Sequence, residues 1–266
     1  VMLPDLPAFA WVLLALAAVT VGLSKTAIPG AGTVPVALFA AILPARQSTG
    51  TLLLLLITAD AFAITMYRRN ANWGVLLRLV PAVLLGVGLG VAFLAVASDG
   101  WVKRLIGVIL LIVVGVTLSR RWVQSRAAAA AGPGEVGLAD AVSAGAAGRR
   151  HPVAAAVYGS LGGFTTMVAN AGGPVMSMYL LAMRFPVKEF LGTAAWFFAI
   201  INLCKVPFSA GLGLITVPGL WVDLVLAPAV VVGALCGRWL ASRLNQRLFE
   251  RLVIVFTVVG AVYLLV

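Results

Sequence analysis

The chain has 266 residues, 62% of them hydrophobic and only 10% charged, with a mean hydropathy of +1.11. A soluble domain carries about 25% charged residues to cover its core with a polar surface, so a water-soluble globular fold is excluded. The formal net charge of +11 comes from basic residues in short loops between apolar runs. No basic patch is interleaved with aromatics, so the charge speaks for topology signals and lipid headgroups and against a nucleic-acid partner.

Apolar runs of the length that crosses a bilayer, about 18 residues or more, succeed one another along the chain. The first, Phe9 to Leu23, continues through Ser24-Lys25-Thr26-Ala27-Ile28-Pro29-Gly30-Ala31-Gly32 to Leu43. It lacks a basic leader and a small-residue cleavage site, and is read as part of the mature fold, not as a signal peptide. Spans are then predicted at Thr51 to Tyr67, Val80 to Ala97 and Ile106 to Leu118. Ala127 to Gly148 is rich in Ala and Gly and reads as a flexible spacer. Residues 153–185 repeat the interrupted pattern around Met167-Val168-Ala169-Asn170-Ala171-Gly172-Gly173-Pro174, and three more helices follow. Proline removes a backbone donor and glycine weakens a helix, so each interrupted run is expected to form a hairpin of two short helices. Irregular backbone at membrane depth is tolerated only where protein buries it or a polar cavity meets it. The expected total is ten helical segments, about six of them full spans.

The order of motifs indicates a duplication. Pro81-Ala82-Val83 with Gly86 and Gly90 recurs as Pro228-Ala229-Val230 with Gly233 and Gly237, and Arg104-Leu105 recurs as Arg251-Leu252. Gly50-Thr51 matches Gly192-Thr193, and the same spacing pairs Asp60 with Asn202. The fold class expected is an all-α polytopic membrane protein of two repeats, residues 1–120 and 153–266, joined by a cytoplasmic linker at 121–152. Basic residues collect on the cytoplasmic side. Arg68, Arg69, Arg120, Arg121, Arg126, Arg149 and Arg150 place two first-half loops there, whereas the corresponding second-half loop, Ser209 to Pro218, has no charge. Arg243, Arg247 and Arg251 make the opposite end of the second half basic. The repeats are therefore expected to be inverted, with a site near the midplane where they meet.

Half-helices starting near Thr33 and Pro174 would present unpaired N–H groups and partial positive charge. Two such ends converging would cradle an anion, with Ser24, Thr26, Thr33, Asn170 and the backbone of Gly30, Gly32, Gly172 and Gly173 around it. The plainer reading is that these glycines serve close helix packing. Lys25 and Lys205 fall within the membrane, where charge marks a site, a pathway or an ion pair, and Asn202 precedes Lys205 on the same span. Asp60 is the one acid well inside a predicted span. It either carries a coupling proton or neutralises a lysine. Glu189 and Asp223 are placed near span ends, in capping or surface roles. Cys204 and Cys236 lie in apolar segments and read as packing residues.

Enzymatic readings find little support. His151, the sole histidine, lies in the basic loop, no paired carboxylates have metal-ligand spacing, and no phosphate-binding loop is present. Neither a metal nor another cofactor is expected.

The two glycine- and proline-rich breaks, the Gly50-Thr51 and Gly192-Thr193 pairs and the Pro81 to Gly90 stretch together resemble the sulfite exporter TauE/SafE family. The resemblance covers nearly the whole chain apart from the linker. It implies a bacterial inner-membrane permease moving sulfite, sulfonates or related small anions outward. The first break departs from the family pattern, which has a run of consecutive glycines before the first proline, where this chain has Pro29-Gly30-Ala31-Gly32-Thr33-Val34-Pro35. The expected function is secondary transport by alternating access; an anion channel using the same positive site is the alternative. The partners expected are the anion, membrane lipid and, left open, protons and a second copy of the chain.

Overall fold

The computed structural model describes residues 4–102, 104–105, 108–109, 112, 152–183 and 185–243. The expected linker, up to His151, lies outside them, as do Arg247, Arg251 and most of the third span expected after each interrupted run. Every element among the described residues is helical. In chain order these are α1 (Ala8–Thr26), a 3-10 turn (Pro29–Gly32), α2 (Thr33–Ile42), α3 (Ala45–Tyr67), a second 3-10 turn (Arg68–Asn70), α4 (Trp73–Val96), α5 (Pro152–Ala169), α6 (Gly172–Ala182), α7 (Val187–Gly211) and α8 (Val217–Arg243).

Five stretches are long and apolar enough to cross a membrane: α1, α3 with its following turn, α4, α7 and α8. Their exposed faces are apolar, with Leu77, Leu84, Leu85 and Leu89 on α4 and Leu220, Leu224, Val232 and Leu235 on α8. The interior instead holds Ser24, Thr49, Asp60, Thr166, Asn170, Asn202 and Lys205. Apolar outside and polar inside is the distribution that lipid, not water, stabilises. Cys204 and Cys236 are exposed and free, so they are not the interior packing residues expected.

Local chemistry sets the helix ends. Asn72 caps α4 by accepting from the Val75 N–H at 3.1 Å. The Arg46 guanidinium donates to the Leu94, Ala97 and Leu212 carbonyls at 2.8, 3.0 and 3.2 Å, tying the start of α3 to the ends of α4 and α7. Such donors satisfy the carbonyls that a helix C-terminus leaves open. Both interrupted runs change direction of backbone where expected: Pro29–Gly32 tightens into the 3-10 turn, and Asn170 takes a left-handed φ of 52° between α5 and α6. Asparagine tolerates that conformation better than most residues. The arms are unequal, however. The first helix of each run is long, 19 residues in α1 and 18 in α5, and only the second is short, 10 in α2 and 11 in α6. A pair of short helices was expected; the apolar run before each break instead extends nearly the full bilayer depth at 1.5 Å per residue.

Close glycine contacts set the helix directions. A side chain on Gly22 would strike Val230 O, and one on Gly233 would strike Val19 O, so α1 and α8 touch backbone to backbone. From Gly22–Val230 to the Thr26–Ala234 hydrogen bond both helices advance four residues, so they run parallel. Gly163 meets Val83 O and Gly86 meets Ser160 O in the same way, and from Gly159–Ala82 to Gly90–Met167 both helices advance eight residues, so α4 and α5 are parallel too. Both contacts join a helix before the expected linker to one after it. Val83 and Val230 occupy matching places after the repeated prolines, and Gly86 matches Gly233. Gly192 lies against Tyr67 and Asn70, while Asn202 meets Asp60, so α3 and α7 run antiparallel. Gly50, the counterpart of Gly192, lies against Leu214 in the corresponding loop. At these contacts the absence of a side chain lets backbones touch.

Candidate functional site

The two breaks meet inside the helix array, where the first 3-10 turn packs on α6. A cavity of about 30 Å³ lies there, lined by Ser24, Lys25, Gly32, Asn170, Gly173 and Asn202 among the expected residues. Gly32 precedes α2 and Gly173 is the second residue of α6, so the start of each short helix reaches the cavity wall.

Lys25 enters from the last turn of α1, and its Nζ lies 2.8 Å from Asp60 Oδ1 on α3, the side chains being 10% and 2% exposed. The same ammonium stands 4.0 Å from the centre of the Phe198 ring on α7, a geometry in which the ring face attracts the cation. Asp60 Oδ2 accepts from Asn202 Nδ2 at 2.6 Å. The two residues matched by the internal repeat thus touch each other where α3 crosses α7.

Lys205 is also on α7, one turn beyond Asn202, and is completely buried. Its Nζ donates to Asn170 Oδ1 at 2.6 Å, Thr166 O at 2.7 Å, and Thr166 Oγ1 and Asn202 Oδ1 at 3.3 Å. Asn170 in turn donates to the Thr49 carbonyl at 2.8 Å, and the Thr49 hydroxyl to the Val168 carbonyl at 3.2 Å. The second break is therefore held by α3 on one side and α7 on the other. Lys205 stands behind the cavity wall with its donors occupied, while Lys25 faces the cavity.

The first break is held from the other direction. Thr26 Oγ1 donates to the carbonyls of Gly22 at 3.0 Å and Ala234 at 3.1 Å, and the Tyr67 hydroxyl donates to the Thr26 carbonyl at 2.9 Å. Thr26 is thus a structural fastener between α1, α3 and α8, apart from the cavity lining. Ser24 lines the cavity but donates its own proton to the Val21 carbonyl at 2.8 Å, leaving its oxygen as an acceptor. Thr33 is fully buried outside the cavity lining. Gly30 lies in the 3-10 turn, and Gly172 packs against Thr166 and the Gly162 carbonyl.

Thr166, Leu56, Ala194, Ala195 and Phe198 complete the lining. Thr166 and Phe198 each stand four residues before an expected site residue, Asn170 and Asn202, on the same helix face. That spacing was a usable signal. Asp223, expected near a span end in a surface or capping role, is instead buried at 9% exposure. Glu189 accepts from Asn72 Nδ2 at 2.9 Å, joining α7 to the start of α4.

Neither the curated proteins nor the solved structures provide a match to this chain. The family model described as sulfite exporter TauE/SafE matches residues 14–264, a span that includes both breaks, Lys25 and Lys205, most of α1 and the other four apolar helices. The chain is therefore a multi-pass membrane protein belonging to the sulfite exporter TauE/SafE family.

Proposed function

We propose that the protein is a secondary transporter that exports a small anion, sulfite or an organosulfonate, across a bacterial inner membrane by alternating access. The observation that carries this reading is the charge count at the crossing of α3 and α7. Two ammonium groups, Lys25 and Lys205, are buried with a single carboxylate, Asp60. With all three ionised, one positive charge is left over in a low-dielectric interior, where an uncompensated charge is strongly unfavourable. A bound monoanion restores neutrality. The starts of α2 and α6 add backbone N–H groups and positive dipole ends.

The antiparallel crossing of α3 and α7 and the repeated glycine contacts support two inverted repeats, with a pseudo-twofold axis passing between Asp60 and Asn202. Inverted repeats with interrupted helices at their interface are the architecture of alternating access. On this reading Lys25 is the direct anion ligand, Asp60 holds its ammonium in place, and Lys205 acts through Asn170 by fixing the second break. The cavity size favours a compact anion: one water needs about 10–15 Å³ on the same measure, so the space suits sulfite better than a long sulfonate.

The test is a thermal-shift screen of purified protein with sulfite, sulfate, thiosulfate, taurine, sulfoacetate and simple carboxylates. A ligand of the folded state stabilises by about 2.7 kcal/mol at a hundredfold excess over its Kd. Stabilisation selective for a sulfur oxyanion, abolished in a folded Lys25→Ala variant, is expected. Stabilisation by carboxylates alone would overturn the sulfur assignment, and no shift with any anion would overturn the site. Counterflow in proteoliposomes separates the transporter from a channel, which shows none.

A further inference from the structure

Two carboxylates are buried among the described membrane helices, and their surroundings differ sharply. Asp60 has Lys25 on one oxygen and Asn202 on the other. Asp223, in the second turn of α8, has no hydrogen-bond partner on either oxygen among the described residues. It lies on the inward stripe of α8 that continues through Leu226 and Val230 to Gly233. The helices packed against α8 are α1 and α3. Their charged groups are Lys25 and Asp60, paired with each other, and Arg46, bonded to the Leu94, Ala97 and Leu212 carbonyls. The ion pair among the described residues, Lys25 with Asp60, does not include Asp223.

A carboxylate buried without a donor or counter-ion is so unfavourable that the group stays neutral by holding a proton. A polar row leads to it. One turn earlier on the same face, the Thr51 hydroxyl of α3 lies beside Gly219, whose N–H donates to the hydroxyl oxygen of Thr216, the residue before α8, at 3.2 Å. Thr51 Oγ1 is itself buried without a partner. Thr216, Thr51 and Asp223 thus descend from the loop side where α8 begins. Farther along α8, Val230 bears directly on Gly22 of α1, one turn before Lys25. A change of charge on Asp223 therefore acts on a helix in backbone contact with the one that carries the anion ligand.

Building on the anion-transport reading, we propose that Asp223 is the proton-binding site of this transporter, loaded through Thr216 and Thr51, and that its proton coupling drives anion movement. Asp60 serves as the counter-ion of Lys25.

Infrared difference spectroscopy on the full chain tests the site without any substrate. Protein labelled with 13C-aspartate at neutral pH is expected to show a protonated-carboxyl stretch that carries the isotope shift and disappears in Asp223→Asn. In Asp223→Glu, which keeps the acid, the stretch is retained but loses the aspartate isotope shift; this variant makes the assignment if the asparagine form does not fold. Absence of the band, or its persistence in Asp223→Asn, overturns the proposal. The coupling is tested in proteoliposomes with labelled thiosulfate, the anion of a strong acid that does not cross lipid as a neutral species. An imposed pH gradient is expected to drive its movement in wild type, with loss of the gradient dependence in Asp223→Asn and recovery in Asp223→Glu. Wild-type movement indifferent to the gradient overturns the coupling. If neither thiosulfate nor methanesulfonate, a compact sulfonate that is likewise the anion of a strong acid, is carried, the anion-transport reading is what fails, and the infrared band still decides whether Asp223 binds a proton.

Discussion

Asp60→Asn removes the one carboxylate from the buried crossing and leaves both ammonium groups in place. Lys25 Nζ lies 2.8 Å from Asp60 Oδ1, and the side chains are 10% and 2% exposed, so water cannot take over the missing charge. Deleting one partner of such a buried pair costs about 3–5 kcal/mol, mostly the penalty of the charge left behind. Interhelical hydrogen bonds within membranes are softer, averaging about 0.6 kcal/mol. The lost Asn202 contact is therefore the minor part, the more so because the new amide oxygen still accepts from Asn202 Nδ2 at that position. Lys25→Met/Asp60→Asn removes both members and should recover most of the loss, giving an interaction energy of about 2–3 kcal/mol, the upper end for neighbouring residues. Reversible unfolding of the four proteins in mixed detergent micelles measures the cycle. The same preparations should show stronger anion stabilisation in Asp60→Asn than in wild type, because the excess positive charge has doubled. Additivity of the two single substitutions within about 0.5 kcal/mol would refute the pair as a coupled unit. Weaker anion stabilisation in Asp60→Asn would refute the charge-balance argument for the site.

Two further predictions concern the scaffold. Gly22→Ala and Gly163→Ala each drive a methyl group into a backbone carbonyl, Val230 O and Val83 O, and should destabilise by about 1–3 kcal/mol as overpacked contacts do. Gly88→Ala on α4 meets nothing within 4 Å and should be neutral or stabilising by up to about 1 kcal/mol; the same unfolding assay ranks them. At the second break, Asn170→Ala loses the bonds to Lys205 and Thr49 and strains a residue at φ 52°, whereas Asn170→Gly loses only the bonds. The glycine variant should be the more stable by about 1 kcal/mol, with anion stabilisation reduced in both. Equal stability of the two would show that the left-handed backbone is not retained.

Much of this architecture was legible from residue order alone. Composition excluded water as the solvent of the outer surface, and a proline or a glycine-rich string within an apolar run can hardly continue as a plain helix, so both interruptions were readable. The duplicated prolines and glycines pointed to equivalent places in two halves, and the Asp60–Asn202 match anticipated two residues that lie 2.6 Å apart. Other features had no local signature. The membrane helices are apolar on nearly every side, so the sequence carries little to say which face turns inward. Whether a polar residue lines the cavity, fastens a helix or hides behind the wall depends on the neighbouring helix. Lys25 and Lys205 are alike as intramembrane lysines, yet only Lys25 faces the cavity, while Lys205 is enclosed by Thr166, Asn170 and Asn202. Asp223 looked like a span-end residue because seven positions from a helix start are compatible with either interface or interior. Its burial follows from the packing of α8 on α1, backbone to backbone, and on α3, where Thr51 meets Gly219, which brings that face inside. Sequence thus determined the solvent and the places where the helices are interrupted, because these depend on local composition and covalent geometry. The tertiary structure alone decided which charges meet, because burial and pairing are properties of helices packed against one another.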